Sequence, residues 1–195
     1  MTLTDHPNSY APRSIVGFAI VSRDGMLADA AGVMPDALKC EADQRFFAAG
    51  LDQVDVVIHG RHSHEQQEHS PLRKRLIVTH QIRALERAGH CDRQLRWNPR
   101  GVSLETALAA LEAPHAALGI VGATDVFGLF LDRYDAFHLT RGPEIQLSGG
   151  RPVFPGVPDR TPEAILAAHG LAPLGTVTLD STVDLTVTTW RRALP

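Results

Sequence analysis

The chain has 195 residues, 44% hydrophobic and 21% charged, enough for one globular domain with a substantial core, and this composition excludes wholesale disorder, collagen and coiled coil. Two cysteines, Cys40 and Cys91, form no CxxC pair, no apolar run approaches the length of a spanning helix, and no leader pattern stands at the start, so a soluble cytoplasmic protein is expected. The net charge of −3 conceals a basic window: residues 71–100 hold eight Lys/Arg against Glu86 and Asp92, a local +6 that suits a small polyanionic ligand.

Residues 1–13 read as a flexible lead-in and 14–195 as a single domain. Ile15–Val21 is an apolar, β-branched strand ending at the turn dipeptide Asp24-Gly25. From Pro35-Asp36 to Gly50 a helix is predicted, with Leu38, Ala42, Phe46 and Ala49 on one face. Val54–His59 and Leu76–Thr79 are short continuous apolar runs, as in strands buried on both faces. Ser103 can cap a helix that stops by Pro114, with Leu104, Leu108 and Leu111 as its stripe. Leu118–Val121 is a strand, Gly122-Ala123-Thr124 a turn and Asp125–Leu131 a helix. Ala136–Thr140, Gly175–Asp180 and Val183–Trp190 are strands, the last two an antiparallel pair joined at Asp180-Ser181-Thr182. The expected fold class is α/β: a mainly parallel central sheet with an antiparallel C-terminal hairpin and flanking helices.

Ligands of open α/β sheets bind beyond the carboxyl ends of the strands. There the sequence places Gly60-Arg61-His62-Ser63, then His80, Gln81 and Arg83, then Gly122-Ala123-Thr124: three strand ends with amides, hydroxyls and cations that suit phosphate. No Gly-x-Gly-x-x-Gly and no P-loop is present, so neither an ordinary Rossmann site nor a P-loop is expected. His64-Glu65-x-x-Glu68-His69 resembles a zinc-protease helix superficially, but its histidines are five apart and diverge by about 140° around a helix, so no metal is expected. Trp97 is the lone aromatic of the basic window, which argues against nucleic acid.

An ordered set of segments resembles the dihydrofolate reductases. It comprises Ile15–Ala28 with its Ser22-Arg23-Asp24-Gly25 turn and Met34-Pro35 followed by Leu38 and Glu41. Val57-Ile58-His59-Gly60-Arg61-His62-Ser63-x-Glu65 and Leu76-Ile77-Val78-Thr79 come next. Then follow Ile120-Val121-Gly122-Ala123 with Val126-Phe127 and Phe130-Leu131, Phe137-His138-Leu139-Thr140, and Val153-Phe154-Pro155. The resemblance extends to the riboflavin-biosynthesis reductases of the same fold and runs from about Ile15 to Trp190. It implies that Gly60, Arg61, His62 and Ser63 hold NADPH phosphates, with Arg61 reaching the 2′-phosphate. Thr79, His80 and Arg83 would line the adenosine side. Val121, Gly122, Ala123 and Thr124 would lie under the pyrophosphate, and Ile20 and Leu27 would flank the nicotinamide. Glu41 matches the single acid of the pterin pocket and Thr140 the residue that supports it.

The implied activity is NADPH-dependent hydride transfer to a C=N bond of a reduced pterin, dihydrofolate or a dihydromethanopterin-like analogue. The alternatives are the riboflavin-pathway 5-amino-6-(5-phosphoribosylamino)uracil reductase and a non-catalytic nucleotide-binding relative. Two departures stand out: the family pairs two glycines across a cis peptide where this chain has Gly122-Ala123, and Asp36-Ala37 stands where an aromatic usually follows Met-Pro. Glu41 also lies four residues before Arg45, the spacing of a surface ion pair. The expected partner is a small-molecule substrate, pterin or pyrimidine, with no nucleic acid and no membrane. The relatives' habits and the edge of the C-terminal strands leave a homodimer open.

Overall fold

The computed structural model describes residues 11–193 apart from 64–66, 68, 90, 91, 143 and 144. Most of the expected lead-in, the acidic half of the His64–His69 run and Cys91 therefore lie outside the described residues.

Strand β1 (Ser14–Val21) runs in the interior of the sheet and is followed by β2 (Met26–Ala28) and helix α1 (Glu41–Leu51). Next come β3 (Val56–Gly60), β4 (Lys74–Val78), β5 (Leu85–Arg87), β6 (Gln94–Trp97) and α2 (Leu104–Ala110). Strand β7 (Ala117–Ile120), α3 (Thr124–Leu129), β8 (Ala136–Arg141), β9 (Arg151–Pro152), α4 (Pro162–Ala168), β10 (Leu171–Asp180) and β11 (Leu185–Arg192) complete the described chain. The main sheet has the order β10-β11-β8-β1-β7-β3-β4-β6-β5. Its interior from β8 to β6 is parallel, while β5, β11 and β10 run antiparallel to their neighbours. Strands β2 and β9 form a separate antiparallel pair.

Alternation along β1 divides the core. Ile15, Ala19 and Val21 join the larger cluster with Ile58, Leu118, Ile120, Phe127, Phe137 and Trp190. Phe18 points the other way, to Val57, Leu51, Phe46 and Phe47 of α1 and its surroundings, and Ile20 to Leu38 and Leu185. On the larger side β1 and β8 approach closely: a Cβ at Gly17 would sit 2.2 Å from the Phe137 ring. Ser103 caps α2 as expected, accepting from the Thr106 N–H at 3.1 Å.

The structure departs from the expected elements at three places. The predicted helix from Pro35 to Gly50 is two pieces: a single tight turn at Asp36–Leu38, then α1 from Glu41, with Cys40 extended between them. Leu38, 1% exposed, is anchored against Ile20 and Leu185 instead of joining the helical stripe. Beyond Thr79, where the sequence places no regular element before Ser103, β5 and β6 extend the sheet, burying Leu95 and Trp97 while Arg96 faces solvent. Helix α4 is absent from the elements expected of the sequence, although Thr161-Pro162-Glu163 is a good start signal and Thr161 accepts from the Ala164 N–H at 3.2 Å.

Candidate active site

A cleft of about 1530 Å3 opens where β1, β3, β4 and β7 end, beside α1 and the β2–β9 pair. Its volume exceeds the several hundred Å3 typical of a single small-ligand pocket.

One end is built from tight turns. After β3, the Ser63 N–H donates to the Gly60 carbonyl at 3.0 Å, and the Gly60 N–H reaches across to the Gly122 carbonyl at 2.8 Å. Gly122 has φ +104° and is joined to Ala123 by a cis peptide. The two turns pack closely: a Cβ at Gly60 would meet the Ala123 N at 3.5 Å, and one at Gly122 the Ser63 Oγ at 3.8 Å. Arg61 donates through Nε to the His62 Nε2 at 2.8 Å. Thr79 is buried and its hydroxyl accepts from the Gln81 N–H at 3.2 Å, while His80 is exposed at the rim. Backbone donors, cations and hydroxyls thus surround a trough in which no described carboxylate pairs with Arg61, a donor set that fits the phosphates of a dinucleotide.

Ile20, Leu27, Gly60, Arg61, His62, Ser63, Thr79, His80, Val121, Gly122, Ala123, Thr124 and Thr140 all line this cleft. Two expected site residues do not. Arg83 is exposed beyond the rim, on backbone that packs against Gly101, where a Cβ would lie 2.1 Å from the Arg83 carbonyl oxygen. Glu41 projects into solvent with its side chain 84% exposed and pairs with Arg45, the surface ion pair its spacing allowed.

Among the described residues two acids line the cleft, Asp125 beside the Gly122–Thr124 turn and Asp43 at the other end. Helix α1 takes its phase from Phe46, Phe47 and Leu51, and at about 100° per residue Asp43 falls between the two phenylalanines while Glu41 points the opposite way. Burial pushes the Asp43 carboxyl above its ordinary range, and a hydrogen bond from the Thr140 hydroxyl pulls it part of the way back. Thr140 lies in β8 opposite Ile20 of β1, and His138 opposite Phe18. The His138 ring stacks on Phe18 at 5.1 Å, meets the Phe46 edge at 5.3 Å, and places Nδ1 3.1 Å from the Thr189 hydroxyl. Burial, then the charge of Arg191, push His138 below the usual imidazole range and favour the neutral ring. This end is therefore an aromatic slot with one half-buried carboxylate and one neutral imidazole, suited to a flat polar heterocycle.

Asp43, Phe18, Phe46, His138 and Arg151 were not singled out from the sequence as site residues. The Phe46-Phe47-Leu51 phase could have located Asp43; His138 and Arg151 needed the strand register. Two of the three residues that open the basic window, Arg73-Lys74-Arg75, are internal: Arg73 is buried and paired with Asp52 at 2.6 Å, and Arg75 is buried against Ser70. Burial and the neighbouring Asp43 and Asp180 charges push the Cys40 thiol up, which disfavours a reactive thiolate. Among the described residues no cluster of three or more His, Cys, Asp or Glu is placed to hold a metal ion, and no helix is long and apolar enough to cross a membrane.

No family model and no curated protein matches the sequence. Solved structures do resemble the fold. A protein assigned to riboflavin biosynthesis from Shewanella sp. PV-4 matches with a TM-score of 0.64 at 19% identity, covering 93% of this chain and 99% of that one. The diaminohydroxyphosphoribosylaminopyrimidine deaminase/5-amino-6-(5-phosphoribosylamino)uracil reductase of Thermotoga maritima matches at 0.59 and 15% identity, over 94% of this chain and 57% of its own. The dihydrofolate reductase of Enterococcus faecalis, solved with NADP(H) and RAB-propyl, matches at 0.57 and 14% identity, over 95% and 99%. The chain has the dihydrofolate-reductase-like fold.

Proposed function

We propose that the chain is an NADPH-dependent reductase acting on the C=N bond of a reduced pterin. The observation that carries this reading is the continuity of two chemically different ends in one cleft: a phosphate-compatible trough at Gly60–Ser63 and Gly122–Thr124, and an aromatic slot containing Asp43. In this reading Arg61, His62 and Ser63 bind the adenosine-side phosphates, Thr79 and His80 line the adenosine, and Ile20 and Leu27 flank the nicotinamide. NADPH, when bound, supplies the hydride. Asp43 orients the ring through its amino and N–H groups and holds the proton destined for the imine nitrogen, its raised pKa keeping a protonated fraction at higher pH. Thr140 fixes the carboxylate, and Phe18 and Phe46 exclude water from the slot.

A second reading is the riboflavin-pathway pyrimidine reductase. It is favoured by the position of the acid, since Glu41, the residue matching the pterin acid, lies outside the cleft.

Calorimetric titration with NADPH tests the shared premise; no binding at millimolar cofactor would leave the non-catalytic nucleotide-binding relative or an unrelated ligand. With binding established, loss of nicotinamide absorbance with dihydropterins, and separately with 5-amino-6-(5-phosphoribosylamino)uracil, decides between the substrates. Turnover of the pyrimidine alone overturns the pterin assignment.

A further inference from the structure

Three Lys or Arg side chains line the cleft: Lys39, Arg61 and Arg151. Lys39 is paired with Asp36 at 2.8 Å, and Arg61 uses its Nε on His62. Arg151 has neither hydrogen bond nor ion pair among the described residues, although Asp125 lines the same cleft.

Three contacts locate Arg151. Strand β9 pairs with β2, placing Arg151 opposite Ala28. The carbonyl of the next residue, Pro152, accepts the Thr124 hydroxyl, tying β9 to the turn that begins at Gly122. The guanidinium lies over Gly32, whose missing Cβ would stand 3.6 Å from Nε and 3.7 Å from Nη2. Gly32 has φ +84° and closes a turn in which the Val33 N–H donates to the Asp29 carboxylate at 2.9 Å. The Gly122–Thr124 turn is thus bordered by Ser63 on one side and by β9 on the other, and the β9 border carries an unspent planar cation.

We infer that Arg151 is a second-bank clamp for the diphosphate of the bound dinucleotide, opposing the Arg61-His62-Ser63 turn across Gly122–Thr124. This rests on the NADPH reading above. A guanidinium presents parallel N–H donors to oxygens of one or both phosphates, and its planar geometry suits them better than an ammonium does. Arg61 and Arg151 then divide the anion: Arg61 reads the 2′-phosphate that distinguishes NADPH from NADH, whereas Arg151 reads the diphosphate that both share.

The test is calorimetric titration of NADPH and of NADH into the full chain as wild type, Arg151→Gln, Arg151→Lys and Arg61→Gln, each checked for an unchanged melting temperature. Arg151→Gln is expected to weaken both dinucleotides by the same factor, about tenfold or more, the scale of a lost charge-assisted hydrogen bond. Arg151→Lys recovers part of this for both, and Arg61→Gln weakens NADPH selectively. Wild-type affinity of Arg151→Gln for both dinucleotides overturns the inference and leaves the cofactor reading standing, as does a loss confined to NADPH. A wild-type chain that binds neither dinucleotide overturns both.

Discussion

The Thr140 hydroxyl of strand β8 and the Asp43 carboxyl of helix α1 meet at the aromatic end of the cleft. Burial raises the Asp43 pKa and the Thr140 hydroxyl lowers it, because the hydroxyl stabilises the charged form. Thr140→Val removes the opposing contribution and raises the pKa further. If the protonated carboxyl serves turnover, the alkaline fall in kcat/KM moves to higher pH in Thr140→Val, a shift that rate measurements across pH detect. An unmoved profile would separate Thr140 from the proton's path.

Asp43→Asn and Glu41→Gln separate the cleft acid from the surface acid. Loss of a positioned general acid costs about a hundredfold or more in turnover, so Asp43→Asn is expected to show that loss and Glu41→Gln wild-type kcat. Stability moves differently. With the folded pKa raised, stability is full below the unfolded aspartate pKa and falls as pH rises through the folded value. Asp43→Asn should therefore melt no lower than wild type at neutral pH, with any advantage vanishing in acid; thermal melts at the two pH values check the sign.

Asp24 has the opposite sign. Burial raises its pKa, but hydrogen bonds from the Ser22 hydroxyl at 2.6 Å and the Leu147 N–H at 3.0 Å outweigh this, and the net shift is downward. Its stabilisation is present above the unfolded pKa and is lost as pH falls through the folded one. Asp24→Asn should cost about 1 kcal/mol at neutral pH, the scale of one such bond. Denaturation curves that show an equal cost in strong acid would contradict this.

Gly17 offers a packing test. The Phe137 ring occupies the space a side chain would need, with ring carbons 2.2 and 2.4 Å from the Cβ position and Tyr134 at 3.0 Å. Both aromatics are fully buried. Gly17→Ala should lower the urea midpoint by an amount equivalent to about 1–3 kcal/mol, the usual cost of overpacking.

The local chemistry of the chain was enough to establish strands β1, β3, β4, β7 and β8, the C-terminal hairpin, and the polar turns after β3 and β7. Those features depend on near neighbours: β-branched apolar runs, glycines at turns, and Ser103 ahead of a leucine stripe. The cleft position followed, since ligands of a parallel sheet gather at the strands' carboxyl ends.

Which acid faces that cleft was a different kind of question. Burial of Leu38 against Ile20 and Leu185 breaks the chain before α1, so the helix takes its rotation from Phe46, Phe47 and Leu51. A start displaced by a few residues turns the chosen side chain through half a revolution, exposing Glu41 and enclosing Asp43. Register between distant strands likewise set Phe18 beside His138, and β2 pairing with β9 set Arg151 over Gly32. The basic window divided for the same reason: Arg73 and Arg75 were drawn inside by Asp52 and Ser70, and Arg83 was left beyond the rim. Near-neighbour preferences specify elements, whereas the facing of each side chain depends on the packing of residues far apart in the chain.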